Sequence, residues 1–276
     1  MTGPISGIVF ERGSLHPVLG VPGSSYLGPA LLKGVDLAEA SPDGRWVAFA
    51  RSGQIAVLSL ADGVERVLAS GSSRKMAWSA QGNALAFENE GQVWWWRVSA
   101  ELATPLGQLS DVTDLVADAD GEFVFAAVGG AESGVYRLQA NSPPQRLATL
   151  EGGGWLSWDP SQRSLFACDQ RGVWEVGWNG GAVRLASQVR APAGLAVSGD
   201  NRYIVVADQA LRAVLIYDRF TKALLEQHEL SFAPTRLKPL GAKVFLLNER
   251  SETQPLEALS MDAGTQVFFI PAGVQQ

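Results

Sequence analysis

The side chains that could carry chemistry in this 276-residue chain are mainly charged and aromatic, because histidine and cysteine are scarce. His16 and His228 lie far apart in the sequence and do not by themselves predict a zinc or iron site. The single cysteine, Cys168, lies in an apolar run and is predicted to be an inert buried thiol. No serine stands in the glycine-flanked turn that exposes a nucleophile. The sequence therefore predicts no catalytic residue, no metal ligand and no cofactor.

Nine charged or aromatic residues share one sequence context, because each lies just before or at the start of a short apolar segment. They are Asp36, Glu39, Arg74, Lys75, Asp111, Asp114, Trp155, Arg190 and Arg236. The basic members could bind an anionic group through charge-assisted hydrogen bonds. The acidic members could hold a divalent cation only if they meet in space. We interpret the set as the rim of a binding site, and ordinary solvated loop charges are the alternative.

The strands that would position these residues belong to an internal repeat. Residues 35–69 contain four apolar segments of strand length, and the turn between the first two is Ser41-Pro42-Asp43-Gly44. Similar turns recur at intervals of about 40 residues. They begin at Ser79, Asp118, Asp159, Ser198 and Pro239. This period, with four strands per repeat, predicts an all-β fold, a β-propeller built from four-stranded antiparallel blades.

Six full repeats occupy residues 35–271, and the residues before them decide the number of blades. Residues 5–10 and 15–19 are predicted to form a hairpin that resembles the third and fourth strands of a blade. Residues 26–32 are a candidate further strand. We predict one domain over residues 1–276, in which residues 1–34 close the ring as part of a seventh blade. A six-bladed ring with the hairpin as an extra edge is the alternative.

Two repeats resemble those of known propeller families. Residues 40–49, ASPDGRWVAF, resemble the repeat of TolB-type (PD40) propellers, in which SPDG precedes a small and apolar strand. Residues 194–224 resemble the repeat of YVTN-type propellers, although Ser198-Gly199-Asp200-Asn201 departs from SPDG. The resemblance implies a bacterial β-propeller. It implies little about function, because such repeats occur in lactonase-like enzymes, surface-layer proteins and assembly scaffolds.

A run of three tryptophans, Trp94-Trp95-Trp96, falls on the third strand of its repeat. The pleat must send two of these side chains to one face of the sheet and one to the other. Both faces of a propeller blade pack on neighbouring blades, so we predict that the run fills the spaces between blades. An exposed aromatic patch for a glycan or protein partner is the alternative.

Composition limits the partners and the compartment. The net charge of −6 argues against nucleic-acid binding, which requires a positive surface. No apolar run approaches the roughly 20 residues that span a bilayer. The printed chain begins Met1-Thr2-Gly3-Pro4 and lacks the pattern of a secretory signal. Localisation is left open, because a leader upstream would predict a periplasmic or secreted protein and its absence a cytoplasmic one.

Two functions from different classes remain. The first is a monomeric, non-catalytic propeller that binds a protein or small-ligand partner through loops at the mouth of the central channel. The second, implied by the family resemblance, is an enzyme of the lactonase or lyase kind with a divalent metal held by Asp and Glu. The scarcity of histidine favours the first hypothesis.

Overall fold

The structure is a computed structural model that describes residues 4–118, 122–249 and 255–271. Its fold is that of a seven-bladed β-propeller with four antiparallel strands in each blade. The helical content of the described ranges is a single 3₁₀ turn, Gly130–Glu132. No helix in these ranges is long and apolar enough to cross a bilayer. The predicted all-β propeller and the preference for seven blades are confirmed.

Blades and strands are numbered in chain order. Blade 1 comprises β1 (Ile5–Glu11), β2 (Ser14–Val21), β3 (Ser24–Leu27) and β4 (Leu32–Lys33). Blade 2 comprises β5 (Leu37–Ala40), β6 (Trp46–Arg51), β7 (Gln54–Ser59) and β8 (Glu65–Ser70). Blade 3 comprises β9 (Met76–Trp78), β10 (Ala84–Asn89), β11 (Gln92–Arg97) and β12 (Thr104–Gln108). Blade 4 comprises β13 (Val112–Ala117), β14 (Val124–Val128), β15 (Gly134–Leu138) and β16 (Gln145–Ala148).

The remaining blades follow the same order. Blade 5 comprises β17 (Trp155–Asp159), β18 (Ser164–Asp169), β19 (Gly172–Val176) and β20 (Ala182–Ala186). Blade 6 comprises β21 (Pro192–Val197), β22 (Tyr203–Asp208), β23 (Ala213–Asp218) and β24 (Leu224–Glu229). Blade 7 comprises β25 (Lys238–Pro239), β26 (Val244–Leu246), β27 (Leu256–Ser260) and β28 (Gln266–Ile270). The chain divides into two compact units, one holding blades 1, 6 and 7 and the other, Val35–Val189, holding blades 2 to 5.

The turn between the first and second strands is closed by side-chain hydrogen bonds that explain its recurrence in the sequence. Ser41 Oγ donates to Asp43 Oδ1 at 2.5 Å and accepts from the Trp46 amide at 3.0 Å. Ser198 Oγ makes the equivalent bonds to Asp200 Oδ1 at 2.6 Å and from the Tyr203 amide at 2.9 Å. These short polar side chains satisfy backbone groups that a tight turn would otherwise leave unpaired.

The N-terminal hairpin occupies a different place in its blade from the strands that its sequence resembles. The sheet order is β1-β2-β3, with β4 pairing the other end of β2. A Cβ added at Gly7 in β1 would lie 2.9 Å from the carbonyl oxygen of Leu240, just after the first strand of blade 7. At the other side, β3 contacts β28, the fourth strand of that blade. The hairpin therefore supplies the first two strands of blade 1, although its sequence resembles third and fourth strands.

The difference between resemblance and position has a physical cause. First and third strands are both short and apolar, so their sequences look alike. Position within a blade is set by packing against the next blade, which one strand's sequence does not show. Blade 1 packs on blade 7 through an apolar cluster that includes Val9, Val18 and Leu27 on one side and Leu246 and Ile270 on the other. The Leu27 amide also donates to the carbonyl oxygen of Pro271 at 3.1 Å.

The tryptophan run fills spaces between blades, as predicted. Trp96 is fully buried and packs with Ile55 of blade 2 in one apolar cluster. Trp95 is 7% exposed and packs with Leu115 of blade 4 in another. Trp94 is half-buried on the same side as Trp96. The buried position of Cys168 is likewise confirmed.

Candidate functional site

Four of the nine predicted site residues come together on or immediately before the first strands of blades 2 to 5, which lie side by side. We call Glu39, Lys75, Asp114 and Trp155 the inner-strand cluster. Lys75 Nζ lies 5.1 Å from the ring centroid of Trp155, within the range of a cation–π interaction. The charges of Lys75 and Glu39 both act on the carboxyl group of Asp114. One side chain from each of four consecutive blades therefore contributes to the cluster.

Local structure explains how each blade presents its residue. Glu39 lies in β5, where its carbonyl oxygen accepts a hydrogen bond from Trp78 Nε1 of blade 3 at 3.0 Å. Lys75 immediately precedes β9, and its carbonyl oxygen accepts from Ser73 Oγ and from the Glu88 amide, both at 3.0 Å. These bonds fix the backbone on either side of the cluster, so that the charged side chains start from defined positions.

Asp114 and Trp155 are positioned by a direct link between blades 4 and 5. A register shift between Val112 and Asp114 marks a bulge in β13, a device that re-aims a side chain. Asp114 Oδ2 then accepts from the Leu156 amide at 2.8 Å. The neighbouring Thr113 Oγ1 donates to the carbonyl oxygen of Gly154 at 3.0 Å. Two consecutive side chains of β13 thus hold the backbone on both sides of Trp155.

The electrostatics of the cluster centre on Asp114. Burial raises the pKa of Asp114 from 3.8 to about 6, because desolvation penalises the charged carboxylate. The positive charge of Lys75 and the hydrogen bond from the Leu156 amide oppose this rise, whereas the negative charge of Glu39 adds to it. The carboxyl group therefore changes charge near neutral pH. It can accept hydrogen bonds when ionised and donate one when protonated.

A raised pKa makes stability depend on pH, and the sign follows from which state binds the proton more tightly. The folded state holds the Asp114 proton up to about pH 6, whereas the unfolded chain releases it near its ordinary pKa of 3.8. The stabilisation is therefore present at low pH and is lost as the pH rises towards 6. We compare the unfolding free energy of the wild type with that of Asp114→Asn. Between about pH 4 and pH 7, the wild type should lose up to about 3 kcal/mol relative to this variant.

Urea denaturation of both proteins across this pH range measures the difference. Asp218 provides a control of opposite sign, because the hydrogen bond from the Thr221 amide lowers the pKa of Asp218. Relative to Asp218→Asn, the wild type should gain stability as the pH rises from acid. If the difference in unfolding free energy between the wild type and Asp114→Asn does not change with pH, the raised pKa of Asp114 is contradicted.

The other predicted residues of the same unit lie outside the cluster. Asp36, Arg74 and Asp111 are exposed. The Arg74 amide donates to Glu88 Oε2 at 3.3 Å, and the Asp111 carbonyl oxygen accepts from the Gly129 amide at 2.9 Å. Their backbones are held by neighbouring structure, and their side chains extend from the loops that precede the first strands.

Arg190 and Arg236 belong to the other unit. The Arg190 amide donates to Asp208 Oδ2 at 2.6 Å, and its side chain is exposed. Arg236 Nη2 forms an ion pair with Glu249 Oε1 at 2.6 Å. This pairing occupies the Arg236 guanidinium in part, so its capacity for an anionic ligand is smaller than the sequence suggested.

The described part of the chain contains no group of three or more His, Cys, Asp or Glu side chains arranged to hold a metal ion. The acidic residues Asp36, Asp111 and Asp114 do not form such a group. The two histidines make local contacts: His16 Nδ1 lies 2.9 Å from the carbonyl oxygen of Gly28, and His228 Nδ1 lies 3.3 Å from Glu226 Oε1.

A recurring polar residue at the end of the second strand was missed from the sequence. Asp208 is fully buried and accepts from the amides of both Arg190 and Ala191, the second at 3.1 Å. Asp169 and Glu88 make equivalent bonds to the loops before the first strands of their own blades. The signal was a polar residue after an apolar second strand, in VVAD, FACD and AFE. Glu88 and Asp208 therefore hold the loops that carry Arg74 and Arg190, and Asp169 holds the loop before Trp155.

No protein-family model matches the chain, and no curated protein matches it. Its fold is similar to that of solved structures. A chain in the crystal structure of a nidogen/laminin complex matches with a TM-score of 0.53 and 11% identity, covering 80% of this chain and 92% of that one. A chain of Kuenenia stuttgartiensis hydrazine synthase matches with a TM-score of 0.58 and 15% identity, covering 83% and 77%. At these identities the similarity shows the fold alone.

Proposed function

We propose that the protein is a non-catalytic propeller scaffold, which binds a protein or small-ligand partner through the inner-strand cluster and the loops that precede the first strands. The observation that carries this proposal is the convergence of Glu39, Lys75, Asp114 and Trp155 from four consecutive blades. An aromatic ring beside a few placed polar groups is the usual composition of a recognition site. Charges of both signs suit a partner with both donors and acceptors.

One further observation supports a binding role, and a second concerns the relation of this protein to known propeller families. One structurally similar chain belongs to a nidogen/laminin complex, so this fold occurs within a protein–protein assembly. The hydrogen-bonded turns at Ser41 and Ser198 also suit the repeats of TolB-type and YVTN-type propellers. We therefore infer a distant relation to those families, in which scaffolds and enzymes both occur.

Partner capture with matched variants tests the proposal. Wild type, Lys75→Ala and Trp155→Ala are immobilised and exposed to an extract of the source cells, and the retained molecules are quantified by mass spectrometry. We expect a partner retained by the wild type to be depleted by both variants. Lys222→Ala, which removes an exposed lysine in blade 6, should retain it. Equal retention by all four proteins would contradict the proposal.

The second candidate function, a metal-dependent lactonase-like or lyase-like enzyme, is favoured by one observation. A carboxyl group with a pKa of about 6, as at Asp114, can exchange protons near neutral pH and so serve general acid or base catalysis. This function would also require Asp and Glu side chains to bind a divalent ion, and a melting experiment separates the two functions.

We expect calcium, magnesium, manganese and zinc ions to leave the melting temperature unchanged from that in EDTA. A metal ion that binds only the folded state would stabilise it by about 2.7 kcal/mol at 100 times its dissociation constant. A rise of several degrees with one ion, lost on replacing Glu39 or Asp114 by the corresponding amide, would make the enzyme the better proposal.

A further inference from the structure

The fourth strands of blades 2 to 6 form the outer edges of their sheets and carry features that discourage pairing with a further strand. A charge or a proline on an edge strand opposes the approach of another strand, and a bulge twists the edge away. Each of the five strands contains such a residue. In chain order, examples are Arg66, Pro105, Arg146, Arg184 and Glu226. Each strand also pairs with its third strand through a register shift, so all five edges are protected twice.

The fourth strand of blade 7, β28, has neither form of protection. Its sequence, Gln-Val-Phe-Phe-Ile, contains no charged residue and no proline, and it pairs with β27 without a register shift. Phe269 is 62% exposed, whereas Val267 and Phe268 are half-buried against apolar clusters on the two faces of the blade. A regular, uncharged and apolar edge is the kind that another strand joins.

The backbone of β28 also has hydrogen-bonding groups that face outwards. The Leu247 amide donates to the carbonyl oxygen of Glu257 at 2.9 Å, so the backbone of Glu257 faces β26. Because these groups alternate in direction along a strand, the next residue of β27 faces its β28 partner, Phe268. Val267 and Phe269 then turn their amide and carbonyl groups away from β27, where no strand of the described ranges pairs with them.

We propose that a second copy of this chain docks on β28, by antiparallel pairing of β28 with the same strand of the copy. Val267 pairs with Phe269 of the copy, and Phe269 pairs with Val267 of the copy. Each of these pairs exchanges two backbone hydrogen bonds. The interface is distinct from the inner-strand cluster and goes beyond the proposed function.

Three properties of β28 select a second copy as the occupant. Val267 and Phe269 lie symmetrically about Phe268, so a two-fold axis beside Phe268 satisfies the outward groups of both strands in one register. The strand is uncharged, so two identical strands meet without like-charge repulsion. The pairing also places the exposed ring of Phe269 beside a β-branched valine, which is a favourable cross-strand pair.

The same geometry sets the size and the strength of the assembly. A two-fold interface uses the same surface of both copies, so association stops at the dimer. One strand pair is a small interface, so the dimer is weak. The monomer that the sequence predicts is therefore the form at low protein concentration.

Sedimentation equilibrium over a wide range of protein concentration tests the proposal on the wild type and two variants. We expect the mass of the wild type to rise from that of one chain to that of two. Phe269→Lys places a charge on the edge and should weaken dimerisation about tenfold or more. Val183→Lys acts on β20, at a side chain that is 61% exposed, and should dimerise as the wild type does. The melting temperature reports whether each variant is folded.

Hydrogen exchange of the ¹⁵N-labelled wild type tests the register and needs no variant. The amides of Val267 and Phe269 should exchange severalfold more slowly at high protein concentration than at low concentration, because the dimer bonds them. The Phe268 amide faces β27 in both forms, so its exchange should not change with concentration.

Four outcomes would overturn the inference. The first is a wild type that stays monomeric at every concentration, which would leave the edge to a different partner. The second is equal weakening of dimerisation by Val183→Lys and Phe269→Lys. The third is a dimer in which the Val267 and Phe269 amides gain no protection. The fourth is open-ended association beyond the dimer, which a two-fold pairing does not allow.

Discussion

Removing residues 1–20 should lower the melting temperature by about 10 °C or more, or cause the protein to associate. The deletion takes away β1 and most of β2, including Val9, Leu15 and Val18, which are at most 2% exposed. It also uncovers their apolar partners in blade 7, such as Leu246. Each buried side chain of this size contributes about 1.5–3 kcal/mol, and a domain of this length loses roughly 2–4 °C for each kcal/mol.

Differential scanning calorimetry and light scattering on the truncated and full chains measure both outcomes. A matched pair of point variants separates the effect of losing buried contacts from the effect of changing an exposed side chain. Val9→Ala removes methyl groups from a fully buried position, whereas Ile5→Ala acts at a side chain that is 66% exposed. The first should destabilise the protein, and the second should change stability by no more than about 0.5 kcal/mol. A truncated chain that stays monomeric and melts at the full-length temperature would contradict the packing of blade 1 on blade 7.

Trp96→Ala should reduce the unfolding free energy by about 3–5 kcal/mol, the usual cost of removing a large buried aromatic side chain. The Trp96 ring is fully buried and meets the rings of Trp46 and Trp78 edge-on, at centroid distances of 5.9 and 6.4 Å. Its Nε1 donates to the carbonyl oxygen of Ala100 at 3.1 Å. Truncation would therefore leave a cavity and remove a hydrogen bond.

Trp94, two residues away on the same strand, is the natural control. It is half-buried and stacks on Phe87, and its Nε1 has no hydrogen-bond partner among the described residues. Trp94→Phe should therefore be nearly neutral, whereas Trp96→Phe should lose about 1 kcal/mol with its hydrogen bond. Chemical denaturation of the wild type and these three variants provides the comparison. If the phenylalanine substitutions at Trp94 and Trp96 changed the unfolding free energy equally, the difference in burial and hydrogen bonding between these two tryptophans would be contradicted.

The sequence predicted the blades well because their boundaries depend on local chemistry. The predicted turns that begin at Ser41, Ser79 and Ser198 lie between the first and second strands of blades 2, 3 and 6. The turns that separate strands are closed by residues only a few positions apart, such as Ser41 and Asp43. Turns formed by residues close together in the sequence can therefore be recognised without knowledge of the rest of the fold.

The candidate site was less predictable, because its interactions join residues that are distant in the sequence. Lys75 of blade 3 contacts Trp155 of blade 5, and Asp114 of blade 4 binds the backbone at Leu156. The repeat placed Glu39, Lys75, Asp114 and Trp155 near the starts of equivalent strands. It did not separate them from the exposed charges in the same loops. Distinguishing the four cluster residues from the exposed charges requires knowing which blades are neighbours and how far Asp114 is buried, since that burial raises its pKa.

The position of blade 1 shows the same limit. Its strands were recognised as β-forming, but their order depends on contacts with blade 7. The close approach of Gly7 to Leu240 joins residues from opposite ends of the chain. A cavity of about 440 Å³ is likewise lined by residues of two neighbouring blades, such as Trp95 of blade 3 and Val124 of blade 4, so no single repeat contains it.

Side chains from four consecutive blades form one electrostatically coupled cluster, and the ionisation of Asp114 is the most direct test of this coupling. The measurement is a pH titration of the ¹³C carboxyl resonance of Asp114 in the wild type, Lys75→Met and Glu39→Gln. We expect a pKa of about 6 for Asp114 in the wild type. Loss of the Lys75 charge should raise this pKa further, and loss of the Glu39 charge should lower it. An Asp114 pKa near the ordinary value of 3.8 that responds to neither substitution would contradict the electrostatic coupling of the cluster.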